Sequence, residues 1–277
     1  MRSMFAFSAN LSTLFTDLPF PERFAAAKAC GFDAVECQFP YAHPADELAA
    51  LLRAQGQTLV LHNLPAGDWA AGERGIACHP GRVGEFLSGV EQAIAYATTL
   101  GVPRLNCLAG IPPEGVDARE AMVTLRANLR TAARMLAGHG LQLLVEPINS
   151  LDIPGFFVDR PAQAIALIQE LRQTHGLDNL FLQYDLYHAQ RMEGELAGHL
   201  QRWLPLIAHI QIADNPGRAE PGTGEIRYAF LFDWLERIGY QGHVGCEYFP
   251  ADPGPGGTQA GLGWRAAHGR LPSGAKM

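Results

Sequence analysis

Short apolar runs alternate along the chain with longer segments whose apolar positions recur every third or fourth residue. The runs MFAFSAN, DAVECQF, TLVLHN, RLNCLAG, LQLLVEPIN, LFLQYDLYH, IAHIQIAD and HVGCEY read as β-strands. The segments PERFAAAKACG, PADELAALLRAQG, GRVGEFLSGVEQAIAYATTLG, DAREAMVTLRANLRTAARMLAGHG, RPAQAIALIQELRQTHG, GELAGHLQRWL, AFLFDWLERIG and GLGWRAAHGR carry the helical period. Gly31, Gly56, Gly101, Gly140, Gly176 and Gly239 follow helical segments as left-handed caps do, and Pro44 and Pro161 suit first turns. Strands apolar on both faces belong to parallel sheets covered by helices. Eight strand-then-helix units predict an α/β fold, a single-domain TIM (β/α)8 barrel over residues 1–270, with 271–277 as a flexible tail. A doubly wound open sheet is the other arrangement that this alternation allows.

Four of the strands end on a polar residue that breaks the pattern. In LQLLVEPIN, a period of two puts Leu144 and Glu146 on one face and Leu143 and Val145 on the other, and Pro147 stops the strand. Asp185 shares a face with Phe181 and Gln183, Gln211 lies beyond His209, and Glu247 lies beyond Gly245. In a barrel these ends converge on the C-terminal mouth, where loops build active sites. Three carboxylates and an amide oxygen would repel one another strongly there without a cation, so Glu146, Asp185, Gln211 and Glu247 predict a site for one divalent ion. Hard oxygen donors suit Mg2+ or Mn2+. His188, just past Asp185, and Arg218, in the loop DNPGRAEPGTGEIRY, are candidates to bind substrate oxygens. Glu36 and His62, near the ends of the second and third strands, are further polar candidates, whereas His209 reads as a satisfied interior histidine and Cys246 as packing.

Composition narrows the partners. A net charge of −7 argues against binding a phosphate backbone, so no nucleic acid is expected. The cysteines are Cys30, Cys37, Cys78, Cys107 and Cys246, an odd number without metal-finger spacing, which points to the reducing cytoplasm. No apolar run approaches the roughly 20 residues of a membrane span, and neither a nucleophile elbow, a phosphate-binding loop nor a dinucleotide fingerprint occurs.

The stretches FAFSANLSTLFTDLPFPERF, GFDAVECQFPY, NLPAGDWAAGERGIACHPGR, LVEPINSLDIPGFF, DLYHAQ, HIQIADNPGRAEPGTGEIRY and YQGHVGCEY together resemble the hydroxypyruvate isomerases of the xylose isomerase-like TIM barrel superfamily. The resemblance implies that Glu146 and Glu247 are the catalytic acid/base pair, that Glu146, Asp185, Gln211 and Glu247 surround a divalent metal, and that His188 and Arg218 contact substrate. Related ketose epimerases usually have His where this chain has Gln211. The implied reaction interconverts hydroxypyruvate and tartronate semialdehyde by proton transfer through a metal-stabilised ene-diolate, the substrate being a small hydroxy or oxo acid. A 2-oxotetronate isomerase, a ketose 3-epimerase, a metal-dependent DNA phosphodiesterase and a sugar-acid binding protein are the alternatives. A homo-oligomer packed through helical faces is expected.

Overall fold

Parallel pairing of the apolar runs builds the centre of the molecule. The computed structural model describes residues 5–267; the predicted tail, 271–277, lies outside the described residues, as does the end of the GLGWRAAHGR segment. Among the described residues nine strands form: β1 (Ala6–Asn10), β2 (Ala34–Glu36), β3 (Thr58–Leu59), β4 (His62–Asn63), β5 (Arg104–Cys107), β6 (Gln142–Val145), β7 (Leu180–Asp185), β8 (Ile207–Ile212) and β9 (His243–Cys246). They pair in the order β3-β2-β1-β9-β8-β7-β6-β5-β4, all parallel.

The two ends of that order are pieces of one predicted strand, TLVLHN. Its Val60 N–H donates to the Val35 carbonyl at 2.9 Å, while the following Leu64 N–H donates to the Asn106 carbonyl at 2.8 Å. One segment therefore joins β2 to β5, and the ring closes as a TIM barrel rather than remaining an open sheet.

The surrounding helices are α1 (Phe20–Ala29), α2 (Ala45–Gln55), α3 (Val83–Leu100), α4 (Ala118–Ala137), α5 (Pro161–His175), α6 (Leu186–Met192), α7 (Leu196–Trp203), α8 (Tyr228–Arg237), α9 (Gly257–Gly261) and α10 (Gly263–Ala267). All six glycines expected to close helices have positive φ, between 57° and 82°. The end of LFLQYDLYH is a correction to the strand reading. Asp185 is an N-cap whose Oδ1 accepts the Tyr187 N–H at 2.7 Å, so the strand stops there and His188 belongs to the first turn of α6.

Outward strand residues such as Val35, Leu143, Val145, Leu182, Ile210 and Val244 join the helices in one continuous core. Each fully buried side chain of this kind contributes roughly 1.5–3 kcal/mol. Inside the ring, Ala34, Leu61 and Leu144 form a second, small apolar cluster with Phe181 and Ala208. Along β7, Phe181, Gln183 and Asp185 then step from that apolar floor to the mouth, as the period of two requires.

Candidate active site

Glu146 and Glu247 lie just beyond the ends of β6 and β9, and Asp185 ends β7. Glu146, Asp185, His188 and Glu247 are buried and offer donor atoms that all lie within 4.8 Å of one another. Glu146, His188 and Glu247 border a mouth cavity of about 270 Å³ whose walls also include Asn63, Trp69, Arg218 and Phe249.

The carboxylates are short of donors. Glu146 accepts from Asn106 Nδ2 at 2.7 Å; Asp185 Oδ2 is buried and has no hydrogen-bond partner among the described residues. Burial, with the charges of Glu247 and Asp185, pushes the Glu146 carboxyl well above its ordinary pKa. Burial pushes Asp185 up to about 7, against the pull of Arg218. Glu247 is better supplied: Oε1 accepts from Asn10 Nδ2 at 3.1 Å and Gln38 Nε2 at 3.0 Å, and Oε2 from the Arg218 guanidinium at 3.0 Å. Burial nevertheless raises it. Three crowded carboxylates, one with a bare oxygen, are what a bound cation would satisfy, so this donor set fits a metal ion.

Arg218 arrives from the loop between β8 and α8. Asp214 organises that loop by accepting the backbone N–H groups of Asn215, Gly222, Gly224 and Ile226 at 2.8–3.0 Å. Arg218 itself holds φ of 53°, unusual for a residue with a side chain, and its guanidinium lies over the Tyr187 ring with the centroid 5.3 Å away. Its Nε is buried and without a protein acceptor among the described residues.

His188 has its orientation set by Asn149. The Asn149 Oδ1 accepts the Asp152 N–H at 2.9 Å, which turns the amide Nδ2 toward His188 Nδ1 at 2.6 Å. Nδ1 faces the nearer donor and accepts from it; Nε2 lies 3.4 Å from the Arg218 guanidinium and 3.6 Å from Asp185 Oδ2, and the shorter contact at Nδ1 puts the ring proton on Nε2, toward that carboxylate. Burial, reinforced by Arg218 and Arg191, holds this imidazole's pKa well below its ordinary value, so it is neutral.

Gln211 pairs in register with Asp185, yet its side chain is engaged one layer down. Its Nε2 donates to Glu36 Oε1 at 2.8 Å and its Oε1 accepts from Gln183 Nε2 at 2.6 Å. Glu36 is fully buried beneath the mouth and also accepts from Ser8, Asn10 and His209. His209 is thus an interior histidine with Nε2 satisfied. His62 is buried with its Nδ1 near the Asn63 carbonyl at 3.2 Å, and it does not border the mouth cavity. Sequence reasoning passed over Asn10, Gln38, Asn106 and Asn149. The signal for Asn10 and Asn106 was present, since each is a polar residue within an otherwise apolar strand.

The family model described as xylose isomerase-like TIM barrel matches residues 24–268. The chain is 51% identical over 261 residues to a hydroxypyruvate isomerase of Escherichia coli (strain K12), covering 94% of this chain and 98% of that one. It is 45% identical over 258 residues to a 2-oxo-tetronate isomerase of Cupriavidus necator, covering 93% and 96%. Among solved structures, one titled AP endonuclease, family 2, from Brucella melitensis superposes with a TM-score of 0.89 at 43% identity, over 95% of this chain and 98% of that one. The chain belongs to the xylose isomerase-like TIM barrel family and is similar to the hydroxypyruvate isomerases within it.

Proposed function

We propose that this protein isomerises hydroxypyruvate to tartronate semialdehyde by moving one proton between neighbouring carbons. The observation that carries the reading is the pair Glu146 and Glu247, two buried carboxyls with raised proton affinity in one close group at the barrel mouth. One glutamate takes the proton from C3 and the pair returns a proton to C2, while the hydroxyl proton passes from O3 to O2, so that the C2 carbonyl becomes a hydroxyl and the C3 hydroxyl an aldehyde. The neutral His188 donates from Nε2 to a substrate oxygen. Arg218 offers its unpartnered Nε to the substrate carboxylate while holding Glu247 in place. Glu146, Asp185 and Glu247 would hold Mg2+ or Mn2+, with the carbonyl oxygen of Gln211, which now accepts from Gln183 Nε2, as the fourth donor. Such an ion supplies Lewis-acid stabilisation of developing oxyanions.

The similarity to a 2-oxo-tetronate isomerase supports a second reading with the same proton transfer on a four-carbon acid. The DNA-cleaving alternative has less support: the close group contains three carboxylates and one histidine, and the chain's net charge is −7. Five cysteines without disulfides accord with a cytoplasmic location. Among the described residues, no helix is long and apolar enough to cross a membrane. Exposed Val123 on α4 and Phe230 on α8 support a homo-oligomer through the helical faces, which light scattering would test.

The deciding experiment is NMR of hydroxypyruvate with the protein in deuterated water, with and without chelator, and with a 2-oxotetronate in parallel. Deuterium at C3 and the appearance of tartronate semialdehyde are expected, both lost on chelation. Exchange only into the four-carbon acid would move the substrate assignment, and exchange into neither would reject the isomerase reading.

A further inference from the structure

Beneath the mouth, Glu36, at the end of β2, gathers donors from two other strands, β1 and β8. Oε2 accepts from Ser8 Oγ at 2.7 Å and His209 Nε2 at 2.8 Å; Oε1 accepts from Gln211 Nε2 at 2.8 Å and Asn10 Nδ2 at 3.2 Å. Gly245, in register with Gln211 and two residues before Glu247, provides the room, since a Cβ there would collide with both carboxylate oxygens. The Asn10 amide uses its NH2 group twice, donating to Glu36 and to Glu247 Oε1 at 3.1 Å. It is held in that sense because Asn10 Oδ1 accepts the Ser12 N–H at 2.9 Å.

We infer that Glu36 is a positioning residue whose carboxylate, together with the Gln183 amide on Gln211 and the Ser12 N–H on Asn10, fixes which way those two amides point, and thereby orients the Gln211 carbonyl and Glu247. An ionised carboxylate only accepts hydrogen bonds, so both amides must turn their NH2 groups toward it. The Gln211 oxygen is then the end directed away from Glu36, and Asn10 retains a hydrogen for Glu247. Burying a carboxylate such as Glu36 costs free energy that its hydrogen bonds, the one from His209 included, serve to offset, so it seldom adds net stability over an apolar side chain. Ordering two amides at the foot of the site gives it a purpose. The inference rests on the reading of Glu247 as a proton-transfer group, but its structural part does not need that reading.

The test is Glu36→Gln, which places an NH2 group against donors that now point at an acceptor. The crystal structure of the variant should show the Gln211 or Asn10 amide turned and the Glu247 carboxylate rotated. Mn2+ affinity, read by electron paramagnetic resonance without substrate, and kcat should each fall about ten- to a hundredfold, with KM within about threefold of wild type. Asn10→Ala removes the bridge, along with the acceptor for the Ser12 N–H, and serves if Glu36→Gln does not fold. In the double variant the two losses in kcat should not multiply, because both act through one connection. If the wild type turns over neither acid, the functional reading fails, while the crystal structure and Mn2+ affinity still decide this inference. Unmoved Gln211 and Glu247 side chains, or losses that multiply, overturn it.

Discussion

Two groups of buried carboxylates lie in successive layers of the same barrel, and their proton affinities move in opposite directions. At the mouth, burial raises Glu146, Asp185 and Glu247. One layer down, burial also works to raise Glu36, but His209 and the hydrogen bonds from His209, Gln211 and Ser8 outweigh it and bring the carboxyl below its ordinary value. Burial is therefore not what separates a reactive acid from a structural one here; the supply of donors is. Four side chains donate to Glu36, whereas Asp185 leaves one oxygen bare. The upper layer leaves a carboxylate oxygen for a ligand, whereas both oxygens of Glu36 are supplied from within the protein.

The largest effect should come from the upper layer. Glu146→Gln and Glu247→Gln should each slow deuterium entry into C3 of hydroxypyruvate by about a hundred- to ten-thousand-fold, as loss of a general acid or base does. Near wild-type exchange in either variant would remove that residue from the proton transfer. Next, Arg218→Ala deprives Glu247 of a charged donor and the substrate of its clamp. Steady-state kinetics should show kcat/KM lowered roughly ten- to a hundredfold, the value of one charge-assisted hydrogen bond or slightly more.

Stability against pH sharpens the contrast further. Carboxyls with raised folded pKa values contribute stability that is fully present below their unfolded values of about 4. That contribution is lost as pH rises through the folded values, about 7 for Asp185. The metal-free protein should thus lose thermal stability from pH 5 to pH 8. Mn2+ at a hundred times its dissociation constant should restore about 2.7 kcal/mol, roughly 5–8 °C, at pH 8. A smaller increment is expected at pH 5, where protons compete for the same oxygens. Scanning calorimetry at both pH values, with and without the ion, checks this. Glu36 gives the smallest effect, with the opposite sign. Its stabilisation is present above its unfolded value of about 4.3 and is lost as pH falls through the lower folded value. Urea midpoints between pH 5 and pH 2 should therefore fall more steeply for wild type than for Glu36→Gln.

The upper layer was legible in the sequence because a strand's period of two makes an acid at the end of an apolar run conspicuous. Glu146 after LQLLV, Asp185 after LFLQY and Glu247 after HVGC all stand out in this way. Asn149 and Gln38 did not, because their work depends on partners distant in the chain: Gln38 reaches Glu247 across 209 residues. Glu36 was visible as a polar strand end, but nothing local shows that it points into a space left by Gly245.

Periodicity and punctuation by themselves determined the alternation of strands and helices and the inward set of acids, since these depend on neighbours within a few residues. Tertiary structure decided the rest. Closure through TLVLHN, the division of carboxylates into a donor-poor and a donor-rich layer, and the tautomer of His188 all arise from groups brought together across the barrel. Proton affinity and amide direction follow from where every neighbouring charge and donor sits in space, and a linear pattern does not encode those distances.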